Sequence, residues 1–71
     1  MKILDSVQFG KELKKRRKKL GYTQSYLAEV TGISASFISE LENGKATAEI
    51  GKAIYLANML GLNLLIEERE E

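Results

Sequence analysis

QSYLAEVTGISASFISELEN, residues 24–43, is the stretch of this chain that decides its fold. It predicts two short amphipathic helices separated by Gly32, at a point where the backbone needs a left-handed residue and glycine adopts that conformation without a Cβ clash. Thr23 is a good N-cap for the helix before the glycine. Ser34 can cap the helix after it, which ends near residue 42 or 43. Both helices therefore have start and stop signals, and together they predict a helix-turn-helix.

Length and composition limit what else the chain can be. A chain of 71 residues with 44% hydrophobic content can form one domain with one small core. It has no cysteine and no histidine, so disulfides, thiolate metal sites and histidine acid-base chemistry are excluded. We therefore expect neither an enzyme nor a bound cofactor. No apolar run approaches the roughly 20 residues needed to cross a bilayer, and we expect a cytoplasmic protein without a membrane partner.

The formal net charge of +1 conceals a strong asymmetry between the two ends of the chain. A dense basic cluster occupies the first predicted helix, and the last residues are mostly glutamate. Such a cluster is typical of phosphate contacts, although lysines near a helix C-terminus can also form a solvated face that the helix dipole favours. The cluster comprises Lys11, Lys14, Lys15, Arg16, Arg17, Lys18 and Lys19.

The pattern on either side of residues 24–43 predicts two further helices. The first begins at an Asp5 or Ser6 cap and runs to about Leu20. The last begins at a Thr47 cap and runs to Leu60. Its predicted apolar stripe consists of Ile50, Ala53, Ile54, Leu56, Ala57 and Leu60.

TQSYLAEVTGIS followed by FISELENGK resembles the helix-turn-helix of the phage Cro and cI repressor superfamily, often called the XRE family. The resemblance extends in register from about Phe9 to Leu62. The continuation GLNLLIEEREE is similar to the end of the small HipB-like antitoxin repressors. The resemblance implies an all-α, four- to five-helix lambda-repressor-like domain with a short C-terminal β-strand. Residues 1–5 would be an extension, 6–61 the helical core, and 62–71 the strand and acidic tail.

The segment LNLLIEERE after Gly61 changes from helical spacing to an extended pattern, with Leu62, Leu64 and Ile66 on one face. An isolated strand leaves its backbone groups unpaired, so it needs a partner. We expect the same strand of a second copy, in an isologous dimer that the HipB-like resemblance also implies. A competing partner is the segment of residues 2–4, and both pairings could coexist in one dimer.

The resemblance also assigns positions to a DNA interface. The candidate base-reading positions carry serines, an alanine and a glutamate, none of which recognises guanine or adenine through two hydrogen bonds. Specificity should therefore also depend on DNA shape. Glu40 could instead reject wrong bases or be solvated, Asn43 could merely cap its helix, and Lys45 could lie in solvent. The base-reading candidates are Ser34, Ala35, Ser36, Ser39 and Glu40, and the phosphate-binding candidates are Thr23, Gln24, Tyr26, Asn43 and Lys45.

Arg17 resembles the buried arginine of the family, which pairs with the glutamate of the Leu-Glu-Asn-Gly motif, here Glu42. We interpret this pair as structural, because a buried arginine–carboxylate fork can tie the first helix to the recognition helix.

The sequence thus predicts a sequence-specific regulator that binds double-stranded DNA at an inverted repeat as a homodimer. The HipB-like resemblance implies an autorepressor that acts as an antitoxin and binds a HipA-like kinase toxin. One alternative is a stand-alone XRE-family repressor with no toxin partner. A further alternative is a module that uses the basic first helix to bind an anionic membrane or an acidic protein.

Overall fold

Four α-helices make up the fold in the computed structural model, which describes residues 1–70. They are α1 (Ser6–Lys19), α2 (Gln24–Thr31), α3 (Ala35–Glu42) and α4 (Ile50–Met59). The predicted all-α class is therefore confirmed. Within residues 1–70, none of the helices has the length and apolar character of a membrane span.

Each helix begins at a side chain that accepts hydrogen bonds from the first turn. Asp5, Thr23 and Ser34 each accept from the backbone amide three residues further on. The cap of α4 is Glu49 and not Thr47 as the sequence predicted. The Glu49 carboxylate accepts from two amides, at 3.0 and 2.8 Å. A hydroxyl commonly satisfies one amide, and a negative charge at a helix start is also favoured by the helix dipole.

Three helices end in the same hydrogen-bonded turn, which brings the chain sharply away from the helix axis. Gly21, Gly44 and Gly61 occupy the left-handed region at φ 78°, 85° and 74° after α1, α3 and α4. In each turn, the glycine amide and the following amide donate back to carbonyls of the last helical turn. These Schellman turns satisfy carbonyls that would otherwise lack partners. Gly32, at φ 75°, ends α2 in the predicted place.

The core lies where α3 packs against α1 and α2, and α4 closes it from the other side. Ile50 and Ile54 do not contribute to it as the sequence predicted, because they are 72% and 41% exposed. The buried stripe of α4 is narrower than its apolar pattern, which leaves apolar side chains on its outer face. The buried apolar residues are Leu13, Leu27, Ile38, Leu41, Ala53, Leu56, Ala57 and Leu60.

The segment after α4 is anchored at Leu62 and then leaves the body of the molecule. The Leu62 amide donates to the Ala57 carbonyl at 3.0 Å, and the Leu62 side chain packs against the core. No residue between 1 and 70 lies in a β-strand, so neither the C-terminal strand nor its pairing with residues 2–4 forms in the single chain. A lone extended segment has no ladder partner for its backbone groups, which is why a strand there would need a second copy.

Gly10 lets α1 approach the end of α3 more closely than any other residue would. A Cβ at this position would lie 2.3 Å from the Leu41 carbonyl oxygen and 2.8 Å from that of Glu42. Both neighbours are backbone atoms of a capped helix end, so they cannot swing aside. The glycine therefore fixes the distance between α1 and α3.

Replacing Gly10 by alanine should destabilise the protein although alanine favours helix formation. Overpacking of this kind costs about 1–3 kcal/mol, against a helix-propensity gain of up to about 1 kcal/mol. The free energy of unfolding from urea titration followed by circular dichroism gives the measurement. Gly51→Ala is the matched control, because its Cβ would meet only the Glu49 carboxylate, at 2.8 Å, and not backbone. The carboxylate can move at the cost of one capping hydrogen bond, about 1 kcal/mol, which the gain in helix propensity should nearly offset. Equal effects of the two substitutions would contradict the tight α1–α3 contact.

Candidate nucleic-acid interface

The outer face of α3 is polar and open, whereas its inner face is buried. Ile38, Leu41 and Glu42 point into the molecule and are at most 6% exposed. Because an α-helix repeats every 3.6 residues, the remaining positions form a face directed outwards. That face carries all five predicted base readers. Ser34, Ala35, Ser36 and Glu40 are exposed, and Ser39 is half-buried.

Ser34 has a second role that limits how it can read a base. Its Oγ accepts a hydrogen bond from the Phe37 amide at 3.1 Å and so caps α3. A hydroxyl that accepts one bond can still donate its proton. Ser34 therefore suits an acceptor on a base or a phosphate.

The start of α2 brings three of the predicted phosphate-binding residues together. Thr23 Oγ1 accepts from the Tyr26 amide at 3.0 Å, and the Tyr26 side chain is 47% exposed. The Tyr26 ring lies 5.0 Å from that of Tyr22, centroid to centroid. Gln24 is half-buried, and its Nε2 donates to Glu42 Oε1 at 3.0 Å. This contact could not be predicted from the sequence, because only the packing of α2 on α3 brings the two residues together.

Arg17 and Glu42 form a buried fork between α1 and α3. Arg17 Nε lies 2.6 Å from Glu42 Oε2, and Arg17 Nη2 lies 2.9 Å from Oε1. Arg17 Nη1 also donates to the carbonyl of Tyr22 at 2.8 Å, just before α2. The two side chains are only 8% and 3% exposed. One guanidinium thus joins the ends of α1 and α3 to the loop before α2.

The surroundings of this fork keep both groups ionised. Burial raises the pKa of the Glu42 carboxyl, but hydrogen bonds from Arg17 and Gln24 outweigh that effect. The positive charges of Arg17 and Lys14 lower the pKa further, so it lies below its ordinary value of 4.5. The hydrogen bond to Glu42 raises the pKa of Arg17, although burial opposes this shift.

The loop after α3 exposes the other two predicted phosphate-binding residues, Asn43 and Lys45. The Schellman turn at Gly44 places Lys45 beside Glu40, and Lys45 Nζ lies 3.3 Å from Glu40 Oε2. Both side chains are about half exposed, at 46% and 52%. Ser6 Oγ donates to the Gly44 carbonyl at 2.8 Å and holds the loop against the start of α1. A predicted base reader and a predicted phosphate contact therefore form one exposed ion pair.

The basic cluster of α1 does not face one way. Lys14 lies on the flank near Glu42, and Arg17 is buried. Arg16 points to the other side, where its Nε donates to the Leu60 carbonyl at 2.8 Å. Lys15 and Lys19 line a shallow groove on that same side, together with Arg16, Glu12 and Leu62. The sequence presented these cations as one cluster, and only the helix geometry separates them.

The predicted dimer residues lie along the segment that leaves the body. Leu62 is half-buried against the core, Leu64 is 43% exposed and Ile66 is fully exposed. Leu65, between the last two, is 78% exposed.

Comparison with known families and proteins gives consistent matches. The helix-turn-helix family model HTH_3 matches residues 13–66. An uncharacterized HTH-type transcriptional regulator of Sinorhizobium fredii, y4mF, is 42% identical over 48 residues, which cover 68% of this chain and 63% of that protein. The SPbeta prophage-derived uncharacterized HTH-type transcriptional regulator YonR of Bacillus subtilis is 36% identical over 55 residues, 78% of this chain and 51% of its own length. The chain thus spans between half and two thirds of these curated relatives.

Solved structures match over nearly the whole chain. The HipB chain of a structure described as a HipB-O4 20mer complex has a TM-score of 0.88 and 27% identity, with 99% of both chains covered. A chain of the HipA-HipB-O2-O3 complex has a TM-score of 0.89, again with 27% identity and 99% coverage of both chains. The HipB-like fold that the sequence resemblance implied is therefore confirmed.

The Arg17–Glu42 fork should make the free energy of unfolding decrease at acid pH. Because the pKa of Glu42 is lower in the folded chain than in the unfolded one, its contribution is present above about pH 4.5 and is lost as the pH falls through the folded value. The free energy of unfolding, measured by urea titration between pH 3 and 7, should fall at the acid end of this range. Glu42→Gln should make that fall smaller. Glu40→Gln, at an exposed carboxylate, is the control and should not make it smaller.

Loss of the Glu42 charge leaves a buried cation, which typically costs about 3–5 kcal/mol. If Glu42→Gln unfolds the chain, the double variant Arg17→Met, Glu42→Leu provides the same comparison without a buried charge. An unchanged fall at acid pH in the variant that folds would contradict the assigned pKa shift.

Proposed function

This chain belongs to the HTH_3 helix-turn-helix family. We propose that it is a DNA-binding transcriptional regulator of the XRE type and, more specifically, a dimeric repressor of its own operon and an antitoxin. One observation supports the proposed docking of the protein on DNA. The Arg17–Glu42 fork holds the buried inner face of α3 against α1, and the polar outer face of α3 is exposed and can enter a major groove.

In the proposed complex, α3 enters the major groove and its outer face reads base edges. Serine hydroxyls can donate or accept, and Ala35 can contact a thymine methyl group. Glu40 can accept from the exocyclic amine of cytosine. No arginine, lysine, asparagine or glutamine lies on this face for bidentate recognition of guanine or adenine. Part of the specificity would therefore come from the shape and deformability of the operator.

Phosphate contacts would position α3 from both of its ends. On one side, the start of α2 offers amides, Thr23, Gln24 and Tyr26 to one DNA strand. Gln24 Nε2 has a second N–H besides the one given to Glu42, and its Oε1 is a further acceptor. On the other side, Asn43 and Lys45 would contact the opposite strand, with Lys45 released from Glu40.

A second copy would place two recognition helices in successive major grooves, about 34 Å apart, and so read an inverted repeat. The proposed contact is antiparallel pairing of the segment that includes Leu62, Leu64 and Ile66. Pairing would satisfy the backbone of this segment and cover side chains that are exposed in the single chain. The exposed outer face of α4, with Ile50 and Ile54, offers further apolar area for the same contact.

The proposed antitoxin role rests on the solved HipB complexes, one of which also contains HipA. By analogy we propose a HipA-like kinase as the toxin partner, in the cytoplasm. A stand-alone repressor is the second candidate, and it is favoured by two relatives described only as HTH-type transcriptional regulators.

The docking model separates two kinds of DNA contact. Lys45→Ala should weaken binding to all duplexes alike and reduce the slope of log affinity against log salt by about 1, because one phosphate contact is lost. Ser36→Ala should instead change which duplexes are enriched from a random pool. Fluorescence anisotropy across a salt series and sequencing of selected fragments give the two readouts. Indistinguishable behaviour of the two variants would rule out this docking pose.

The antitoxin role predicts protection against a kinase-like protein encoded beside the gene. Expression of that neighbour alone should arrest growth, and co-expression of this chain should restore growth and yield a complex that co-purifies. A variant with Ser36 and Ser39 changed to alanine separates the roles, because it should alter DNA recognition while still binding the kinase. A gene with no such neighbour, or a neighbour that does not co-purify, would leave the stand-alone repressor as the function.

A further inference from the structure

The acidic end of the chain carries charge that its own chain does not neutralise. Glu67, Glu68 and Glu70 are exposed. The ion pairs found within residues 1–70 are Arg17–Glu42 and Lys45–Glu40, and neither involves this end. The segment before it is also exposed, with Ile66 fully accessible. An acidic, partly apolar segment that leaves the body in this way is free to bind a complementary surface on another molecule.

The groove on the α4 side of α1 provides a surface of opposite charge. Lys15, Arg16 and Lys19 surround Leu62 there, and Glu12 is the single carboxylate of the lining. Arg16 is fixed by its Nε bond to the Leu60 carbonyl at 2.8 Å. Both Nη groups of Arg16 have no hydrogen-bond partner within the described chain. The groove therefore holds three cations and one anion at the point where the C-terminal segment begins.

The charges of the tail are the reverse of those of the groove. Residues 67–70 read Glu-Glu-Arg-Glu, which is three anions and one cation. Within its own chain the tail does not lie in the groove, because residues 63–70 are exposed and the ion pairs found within residues 1–70 do not include any of them. A second copy can present its groove to the tail.

Antiparallel pairing brings the tail to that groove whether Leu64 or Leu65 lies on the two-fold axis. With the axis at Leu64, Ile66 faces Leu62 of the other copy and the next two glutamates lie just beyond it. With the axis at Leu65, Glu68 itself faces that Leu62. Since a strand rises about 3.3 Å per residue, both arrangements place Glu67 and Glu68 within about 7 Å of Leu62 along the strand. Leu62 is the residue that the cations of the groove surround.

We propose that the acidic tail of each copy, Glu67 to Glu70, lies in the basic groove formed by Lys15, Arg16 and Lys19 of the other copy. The proposal rests on the strand-paired dimer proposed above and adds an electrostatic latch to it. Each dimer contains the latch twice. The cations of the groove thus serve assembly, and Lys14 and Lys18, which do not line the groove, remain for DNA.

The latch makes the strength of the dimer sensitive to salt and to charge sign. Exposed ion pairs are individually weak and are screened by salt, but four lysine–glutamate pairs act together in the symmetric dimer. A chain with the same apolar segment and an uncharged tail would lack this attraction. The latch would therefore favour pairing between identical copies.

Sedimentation equilibrium of the full chain tests the latch through a charge swap. Lys15→Glu with Lys19→Glu should raise the dimer dissociation constant on the order of 10-fold or more at low salt, as should Glu67→Lys with Glu68→Lys. The chain that carries all four changes should recover most of the loss, because the attraction is restored with its signs exchanged. Lys11→Glu with Lys18→Glu is the matched control, because both residues are exposed on the same helix and neither lines the groove; it should leave the dissociation constant unchanged.

The outcomes distinguish the latch from the dimer and from DNA binding. A strong wild-type dimer that ignores all the charge changes, or no recovery in the fourfold variant, would overturn the latch and leave the dimer in place. A monomeric wild type would overturn both, while binding of single half-sites would still be measurable. Far-UV circular dichroism of each variant establishes that a change in mass reflects assembly and not unfolding.

Discussion

The fork between Arg17 and Glu42 is the interaction on which the rest of the structure depends. It joins α1 to α3 directly. Through the backbone carbonyl of Tyr22 and the side-chain amide of Gln24 it also holds the start of α2. A small domain has few ways to fix the angle between short helices, because its apolar core is limited. A buried ion pair contributes little net stability, but its two parallel hydrogen bonds form only at a narrow range of relative orientations of the two side chains. The orientation of α3, and hence of its polar face, follows from this geometry.

Gly10 and the fork act on the same pair of helices in different ways. The glycine sets how closely the backbone of α1 approaches the end of α3, and the fork sets the rotation between the two helices. Neither feature contacts the outer face of α3. The side chains that face solvent there could therefore vary widely while the scaffold keeps its shape, which suits a fold whose members read different DNA sequences.

Local signals made most of this fold predictable from the sequence. Thr23, Gly32 and Ser34 act within one turn of the backbone, so their effect does not depend on the remainder of the chain. Tertiary contacts were harder to predict. The apolar pattern of α4 could not show that Ile54 would face outwards, because periodicity does not reveal how much neighbouring surface exists to cover a helix.

In the candidate site, too, the features that depend on one helix were predictable and those that depend on contacts between helices were not. The residues of the outer face of α3 follow from the helical period once its inner face is known. The bond from Gln24 to Glu42 and the division of the basic cluster depend on how helices cross, which spacing along the chain does not encode. Arg16 was counted among the cations of one cluster, yet it donates to the carbonyl of Leu60, just after α4.

In the proposed dimer, the segment after α4 would also link the amount of protein in the cell to its lifetime. Proteases cleave extended, uncovered segments readily, and Leu65 and Ile66 lie in such a segment. Association of two copies would shield it, so dilute molecules would be degraded faster than concentrated ones. Turnover would then fall as expression rises, and the regulator would disappear abruptly once synthesis stops.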